Sequence, residues 1–361
     1  MITPEGCQQR RQRFLERLRP SGPLLLADPL NLRYLAHANI DPFSLGAEFG
    51  GLLRIDPDGR TTLYHDNRFP SSIEQSYVDE RVVLPWYDGQ SPGRGPRRLQ
   101  FLPILEQAGT DGRIHDLLTD PLAPRLQTIL SELRRTKDAD EVETLRACMR
   151  AAEAGHAWAR QAITPDMTEL DVYCGVATNC QQHVGRPVIV YGDFIVSPGP
   201  KRRVGLPTRR RLHAGDTFIL DFSVVIDGYR CDFTNTLLVG GKPTEAQLRL
   251  MNLCVQAMAA GEAELCAGAA CQAVYSAIRN VFAGAGVAEL FPHHAGHGLG
   301  LSHPESPYIV AFADEYLQTG DVITLEPGLY QDGVGGIRIE HNYLITDTGY
   351  ERLSQHTIAL C

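Results

Sequence analysis

The sequence predicts an α/β (α+β) protein with two domains. Its 361 residues are long enough for two domains. Strand-like apolar runs alternate with helical patterns through the first third of the chain, as is typical of a small α/β domain. Pro121 and Pro124 interrupt this pattern, and longer helices and strands follow. We therefore predict a boundary near 125–136, with one domain over 1–130 and a larger one over 136–361.

The composition indicates a soluble globular protein. Hydrophobic residues make up 43% of the chain and charged residues 21%. The net charge of -9 argues against nucleic acid or an anionic membrane as the main partner. The 9 cysteines form no C-x-x-C motif, which favours reduced thiols over a disulfide framework or a zinc cage. No signal peptide or transmembrane run is recognisable, so we expect a cytoplasmic protein.

The N-terminal elements are predicted from periodicity and turn residues. They comprise a helix over 5–19, a strand over 24–27, a hairpin of 51–55 and 61–64, a strand over 82–84 and a helix over 101–108. His37, His65 and His115 are isolated in this half. We therefore predict no chemical site in the N-terminal domain.

The C-terminal half carries longer elements. One predicted helix begins at a cap on Asp138 or Asp140. Further helices are predicted over 126–135, 168–183, 244–260 and 270–283. Strands are predicted over 188–191, 194–197, 218–221, 229–233, 321–325, and 336–340 continuing into 343–345. The glycine- and histidine-rich stretch 291–307 is predicted to be a loop.

Two aspartates flank a predicted hairpin in FILDFSVVIDGYRCDFTNT. An apolar run ends at Asp221, the chain turns on Asp227-Gly228, and Asp232 lies in the returning run. A D-G pair between two β-like runs is a strong hairpin signal. An ionised carboxylate is costly to bury unless it is paired or binds a metal, so a cation between the strands would hold both aspartates. The alternative is that one aspartate faces solvent and the other belongs to a turn.

Three further side chains with metal-ligand chemistry follow. His297 lies in G-H-G, Glu326 precedes Pro-Gly, and Glu340 ends a predicted strand. Each alone also fits an ordinary role, as a loop histidine, a solvated strand end or a partner for Arg338. Together with the two aspartates they form four carboxylates and one imidazole, a set that suits divalent Mn, Co, Fe or Zn. Such a set can hold two ions about 3.5–4 Å apart with a water between them.

The order of these motifs resembles that of the pita-bread metallopeptidases, a family that includes prolidase, Xaa-Pro aminopeptidase, methionine aminopeptidase and the metal-free creatinase. The motifs are the two aspartates separated by ten residues, GHGLG, ITLEPGLY and GGIRIEH. LRRTKDADEVETLR and ITPDMTELDV are similar to two further segments of the family. The match covers 136–361, and NLRYL in the preceding domain is similar to the creatinase/prolidase N-terminal domain in outline. The resemblance implies a creatinase-like N-terminal α/β domain followed by a pita-bread catalytic domain.

The resemblance also implies a ligand set for two divalent ions. Its members would be Asp221, Asp232, His297, Glu326 and Glu340. Asp232 and Glu340 would bridge the ions. Asp221 would complete one site, and His297 with Glu326 would complete the other.

Catalytic roles follow from the same resemblance. Glu326 would handle the proton of the bridging water, and Arg338 would orient Asp232 from outside the ligand shell. His293 would line the pocket. His303 would face the substrate, although it follows the histidine of G-H-G by six positions where the family has seven.

A second departure concerns the substrate. Before P-T-x-R-x-L the peptidases carry a histidine that contacts the substrate, and this chain has Val204 or Gly205 there. The resemblance implies a homodimeric dinuclear-metal hydrolase of Xaa-Pro dipeptides or similar small substrates. The alternative is a hydrolase or lyase of a small anionic metabolite, as in ectoine hydrolase or creatinase, which Lys201, Arg202, Arg203 and Arg209 would suit. A catalytically inactive binding protein is the third reading, and the five retained ligand positions argue against it.

Overall fold

Both halves of the molecule mix helices with sheets, which confirms the predicted α/β (α+β) class. The computed structural model describes residues 1–39, 51–68, 75–93 and 95–361. These residues divide into two compact units, Met1–Arg134 and Arg135–Cys361.

The first unit is built around one antiparallel hairpin. Its described elements are α1 (Pro4–Leu18), β1 (Leu24–Leu26), α2 (Pro29–Ala36), β2 (Leu52–Ile55), β3 (Thr61–Asp66), β4 (Glu80–Leu84), α3 (Leu102–Gln107) and α4 (Ala123–Arg135), whose last residue belongs to the second unit. The described strands pair in the order β1-β2-β3-β4, with only β4 parallel to its neighbour. Ile55 pairs with Thr61, so the predicted hairpin is confirmed.

Four helices of the second unit begin or end as their sequences predict. They are α5 (Ala139–Ala162), α6 (Glu169–Val184), α7 (Glu245–Glu262) and α8 (Cys271–Gly284). Asp138 caps α5 and forms a capping box with Glu141. Thr168 and Thr244 cap α6 and α7 in the same way. A side-chain oxygen at each of these positions accepts a bond from the first turn, where the backbone amides lack helical partners.

The strands of the second unit form three sheets. They are β5 (Ile189–Val196), β6 (Thr217–Ile226), β7 (Tyr229–Arg230), β8 (Phe233–Leu238), β9 (Gly296–Gly298), β10 (Glu305–Ile309), β11 (Val322–Leu325), β12 (Gly328–Gln331), β13 (Gly335–Arg338), β14 (His341–Thr346) and β15 (Gly349–Arg352). The first sheet has the order β5-β6-β7 with β8 also on β6, the second pairs β12 with β13, and the third has the order β10-β9-β11-β14-β15. Apolar residues of α7 and α8 pack in one core with β11 to β14.

The prediction of two strands over 188–197 was wrong, because β5 runs without a break through Gly192 and Asp193. These residues pair with Phe222 and Asp221 of β6 in continuous register. A side chain at residue 192 would overlap the carbonyl oxygen of Asp221. The glycine therefore permits close strand approach, where the sequence pattern had indicated a break between two strands.

The stretch 291–307 is not wholly a loop, since G-H-G forms β9 between β10 and β11. A Cβ at Gly296 would overlap the carbonyl oxygen of Thr324, and one at Gly298 would overlap that of Ser306. Both glycines are therefore required by neighbouring backbone on either side. His297 is held between them inside a sheet.

Three predicted strands also differ from their predicted limits. β6 continues past Asp221 to Ile226 before the turn at Asp227 and Gly228, both at positive φ. Asp232 lies in a two-residue break between β7 and β8. The predicted strand over 336–345 is divided into β13 and β14, which belong to different sheets. Glu340 lies at that division.

No helix in the described part of the chain is both long and apolar enough to cross a membrane.

Candidate metal centre

The register of the first sheet gathers acidic side chains on one face. Asp221 pairs with Asp193 of β5 on one side and with Thr234 of β8 on the other. Directly paired residues project to the same face of a sheet. Sequence reasoning missed Asp193, because the two predicted strands left residues 192 and 193 between them.

The third sheet supplies a histidine and a glutamate. The Nδ1–H of His297 donates to the carbonyl oxygen of Gly298 at 2.9 Å, which leaves Nε2 available. That Nε2 lies 3.5 Å from Glu326 Oε1 and 3.9 Å from Asp232 Oδ2. All three side chains are buried. A ring fixed by its second nitrogen in this way has the orientation of a metal-binding histidine.

Glu340 completes the acidic set at the division between β13 and β14. Its Oε2 accepts a hydrogen bond from Thr234 Oγ1 at 2.7 Å. Its Oε1 is buried and has no hydrogen-bond partner among the described residues. Burial, together with the charges of Asp232 and Glu326, raises the pKa of Glu340 well above its usual value.

The five predicted ligand positions converge. Within the described residues, ligand atoms lie within 4.8 Å of one another in three groups at this site: Asp232, His297 and His303; His294, His297 and Glu326; and Asp221, Asp232 and Glu340. Asp232 belongs to two of these groups, as expected of a ligand between two ions. A further acidic group at Asp138 to Glu141 is the cap of α5.

The contacts of Arg338 differ from those that the resemblance implies. Its guanidinium donates to Asp221 and, at 2.8 Å, to Asp193, rather than to Asp232. The cause is that Arg338 ends β13, whereas Asp232 lies in the break before β8. Burial raises the pKa of Asp221 to about 7 despite this arginine. Arg338 thus positions Asp221 and offsets part of the negative charge of Asp221 and Asp193.

A tyrosine and a histidine form a second layer around the arginine. The hydroxyl of Tyr330 accepts from Arg338 Nη1 at 2.9 Å and lies 3.2 Å from His293 Nε2. The other nitrogen of His293 lies 2.7 Å from the carbonyl oxygen of His294. Burial lowers the pKa of His293 to about 4, so this ring is neutral and its Nε2 accepts from the tyrosine. Tyr330 stands in ITLEPGLY, and its role was missed.

Two more histidines contact the acidic residues directly. His294 Nε2 lies 3.0 Å from Glu326 Oε1, and His303 Nε2 bonds to Asp232. Burial opposes charge on both rings, but these carboxylates more than offset it, so both histidine pKa values are raised. His294 was missed because only its neighbour matched the family motif.

The site has the character of a cation-binding site. Buried carboxylates crowd together on one face, and the pKa values of two of them are raised by burial and by neighbouring negative charge. The unpartnered oxygen of Glu340 lacks the positive or hydrogen-bonding partner that a buried carboxylate requires. Oxygen and imidazole donors in this mixture suit divalent transition metals.

The position before P-T-x-R offers no proton donor. Val204 is 68% exposed, and the amide of Gly205 donates to Asp193 Oδ1 at 2.8 Å. The amide of Gly205 therefore holds Asp193 in place, while the side chain of Val204 is mostly exposed to solvent.

Comparisons with known proteins agree with this geometry. The model of metallopeptidase family M24 matches residues 143–347, more than half of the chain. An uncharacterized peptidase of Staphylococcus aureus (strain MRSA252) is 30% identical over 344 residues, covering 92% of this chain and 94% of the relative. One from Staphylococcus haemolyticus is 30% identical over 340 residues, with the same two coverages.

Solved structures show the same architecture over the whole length. The dipeptidase PepE from Mycobacterium ulcerans has a TM-score of 0.76 at 25% identity, covering 99% of this chain and 98% of that one. The X-Pro aminopeptidase from Thermotoga maritima has a TM-score of 0.80 at 20% identity, covering 97% and 98%. The resemblance found in the sequence is confirmed, and the chain belongs to metallopeptidase family M24, with its pita-bread fold.

Proposed function

We propose that this protein is a metal-dependent hydrolase of a peptide bond in short peptides, of the Xaa-Pro dipeptide type. Two divalent ions, Mn, Co, Fe or Zn, would be held by the converging carboxylates and His297. The observation that carries this proposal is the buried, unpartnered oxygen of Glu340 beside Asp232, a carboxylate shared by two ligand groups. One ion would lie among Asp221, Asp232 and Glu340. The other would lie near His297 and Glu326.

When bound, such ions supply Lewis acidity to a carbonyl oxygen and to a water molecule. The chain's own residues would hold the ligands of these ions in place. Arg338 donates to both Asp221 and Asp193 and so holds Asp221 in place, and Thr234 fixes one oxygen of Glu340. These contacts hold the carboxylates at defined angles, which a ligand shell requires.

Proton transfer would involve Glu326. Burial opposes its ionisation, but the hydrogen bond from His294 and the nearby imidazoles lower its pKa. It is therefore ionised at neutral pH and able to accept a proton from water. His294, 42% exposed and bonded to the same carboxylate oxygen, would carry that proton onward to the leaving nitrogen.

The decisive experiment combines metal analysis with a substrate screen. Elemental analysis of the purified protein should find close to two divalent ions per chain, and the protein should cleave Xaa-Pro dipeptides. A chelator should abolish this activity, and adding the metal back should restore it. Full activity in metal-free protein, or no cleavage of any short peptide, would refute the proposal.

A second candidate keeps the ions and changes the substrate to a small anionic amide. The specific observation in its favour is the exposed valine at residue 204, where no side chain can donate a proton. On this reading Xaa-Pro dipeptides are poor substrates. A rate of about 10 s⁻¹ or more, typical of enzymes acting on their own substrates, would exclude it.

We further propose that the protein acts as a homodimer in the cytoplasm. The motivation is the creatinase-like arrangement of two domains and the cysteine usage. Sedimentation analysis at micromolar concentration and cell fractionation would test these two points. A monomer, or a protein recovered outside the cytoplasm, would contradict them.

A further inference from the structure

Arg203 is a cation beside the candidate centre, and its guanidinium has no ion-pair partner among the described residues. Its guanidinium lies over the ring of Tyr330, with the central carbon 5.9 Å from the ring centroid. The side chain is half-buried, and it forms no hydrogen bond or ion pair with any residue that the structure describes. The hydroxyl of the same tyrosine contacts His293 and Arg338. Arg203 therefore lies one side chain away from the acidic face.

The neighbouring cations are already engaged. Arg202 forms an ion pair with Glu169, whose side chain is fully buried, including a bond of 2.8 Å from Nη2 to Oε2. Arg338 is shared between Asp221 and Asp193. Among these three arginines, only Arg203 has its charge available to a ligand.

The backbone around Arg203 is fixed at several points. Its carbonyl oxygen accepts from Arg338 Nη1 at 3.0 Å. Two residues later, the amide of Gly205 donates to Asp193 Oδ1 at 2.8 Å. One residue earlier, Arg202 anchors the chain to Glu169. A cation held in this way loses little conformational freedom when it binds an anion, so its interaction is gained at small entropic cost.

Apart from Arg338 and the histidines, the other charged groups of the candidate centre are carboxyl groups, those of Asp193, Asp221, Asp232, Glu326 and Glu340. A substrate carboxylate that lies away from the ions therefore needs a cation of its own. An arginine presents a planar pair of donors that matches a carboxylate. Discrimination then follows, because a neutral C-terminal amide gains much less from the same contact.

We propose that Arg203 binds the carboxylate of the substrate, so that the protein selects substrates with a free carboxylate over their amides. This inference rests on the proposed function and adds the substrate feature that the site recognises. For a dipeptide, the group bound is the C-terminal carboxylate. Arg203 acts in binding and takes no part in bond cleavage.

The test compares alanyl-proline with alanyl-prolinamide. Calorimetry with the metal-loaded enzyme gives KM and kcat for a peptide that is cleaved and a dissociation constant for one that is not. Because a charged hydrogen-bond pair contributes roughly 1.5–3 kcal/mol, Arg203→Ala should weaken alanyl-proline binding about 10- to 100-fold. Binding of the amide should change less than about twofold. Arg203→Lys should recover part of the affinity for the acid.

Arg210→Ala is the matched control, since it removes an equal charge from an exposed arginine of the same segment. It should leave the KM or dissociation constant of each peptide unchanged. Equal effects of Arg203→Ala on acid and amide, no effect on either, or no binding of either peptide to the Arg203-containing protein would each overturn the inference. Turnover without an Arg203 effect would refute this inference alone. An Arg203-dependent preference for the acid without turnover would refute the proposed hydrolysis and leave the inference standing.

Discussion

Two buried clusters of titratable side chains lie on either side of β8. One cluster consists of neutral histidines, and the other consists of carboxylates that need a cation. Thr234 touches both of them. Its hydroxyl donates to Glu340 in the candidate metal centre at 2.7 Å. Its carbonyl oxygen accepts from His356 Nε2 at 3.1 Å. We call the second group the histidine cluster, and its members are His156, His341 and His356.

The histidine cluster packs among aromatic rings, and Nδ1 of His356 is buried without a hydrogen-bond partner among the described residues. His156 stacks on Phe222 and Phe233 with ring centroids 4.9 and 5.1 Å apart, and His356 stacks on Phe233 at 4.4 Å. Burial lowers the pKa of all three histidines, to about 4 for His356 and about 2 for His341. Neutral imidazoles pack like aromatic rings, so no counterion is required.

The metal centre cannot be neutralised in this way. Several carboxylates share one buried face, and an oxygen of Glu340 is left without a partner. Protonating every carboxylate would leave the site without its ligands. The comparison teaches that burial alone does not indicate a functional site. The distinguishing feature is a set of like charges held close together.

The largest effect is expected at Glu340, the carboxylate of the metal centre that Thr234 contacts. Glu340→Gln preserves shape and removes the charge, so it should release at least one ion and abolish turnover. Metal content by elemental analysis and peptidase activity are the measurements. Glu262→Gln is the control, because Glu262 is a half-buried glutamate that accepts from the hydroxyl of Tyr343 at 2.9 Å, outside the centre. Two ions and full activity in Glu340→Gln would show that this carboxylate is not a ligand.

The histidine cluster should respond to acid. In the unfolded chain His356 gains a proton near pH 6.5, whereas the folded pKa is about 4. The unfolded state therefore binds more protons below pH 6.5, and the free energy of unfolding falls between pH 6.5 and 4, by on the order of 3 kcal/mol for His356. Denaturant titrations at several pH values measure this loss. His356→Phe should flatten the pH dependence, and an unchanged slope in this variant would contradict the assignment.

A smaller effect is expected at the arginine behind the centre. Because Arg338 braces Asp221 rather than binding a metal, Arg338→Ala should reduce metal affinity or kcat by roughly 10- to 100-fold without abolishing either. Titration with Mn²⁺ and steady-state kinetics measure both. Wild-type metal affinity and kcat in this variant would show that Arg338 does not position a metal ligand.

The smallest effect concerns residue 204. A positioned acid contributes about 10²–10⁴-fold, but an exposed histidine without supporting contacts realises little of this, so Val204→His should raise kcat for an Xaa-Pro dipeptide by less than about tenfold. Val204→Gln is the control for size and polarity. An equal increase in both variants would show that proton donation is not the cause.

Much of the fold was predictable, and the failures have local causes. The helix caps at Asp138, Thr168 and Thr244 follow from side chains that bond their own first turn. The predicted break between two strands at residues 192 and 193 was wrong, because a glycine inside a strand and a glycine between strands have the same local pattern. The loop predicted around His297 failed for a related reason, since Gly296 and Gly298 are needed by backbone distant in sequence.

The sequence by itself determined the family, the α/β class and the five candidate ligand positions. Each of these depends on residue types at fixed spacings, which are present before the chain folds. Only the tertiary structure decided that Asp193 and Tyr330 support the site and that Arg338 bonds to Asp221. It also decided that the guanidinium of Arg203 has no ion-pair partner among the described residues. These contacts join residues separated by tens of positions through strand register and sheet packing. Hydrophobic burial and backbone pairing across the whole unit set that register, and no local pattern contains it.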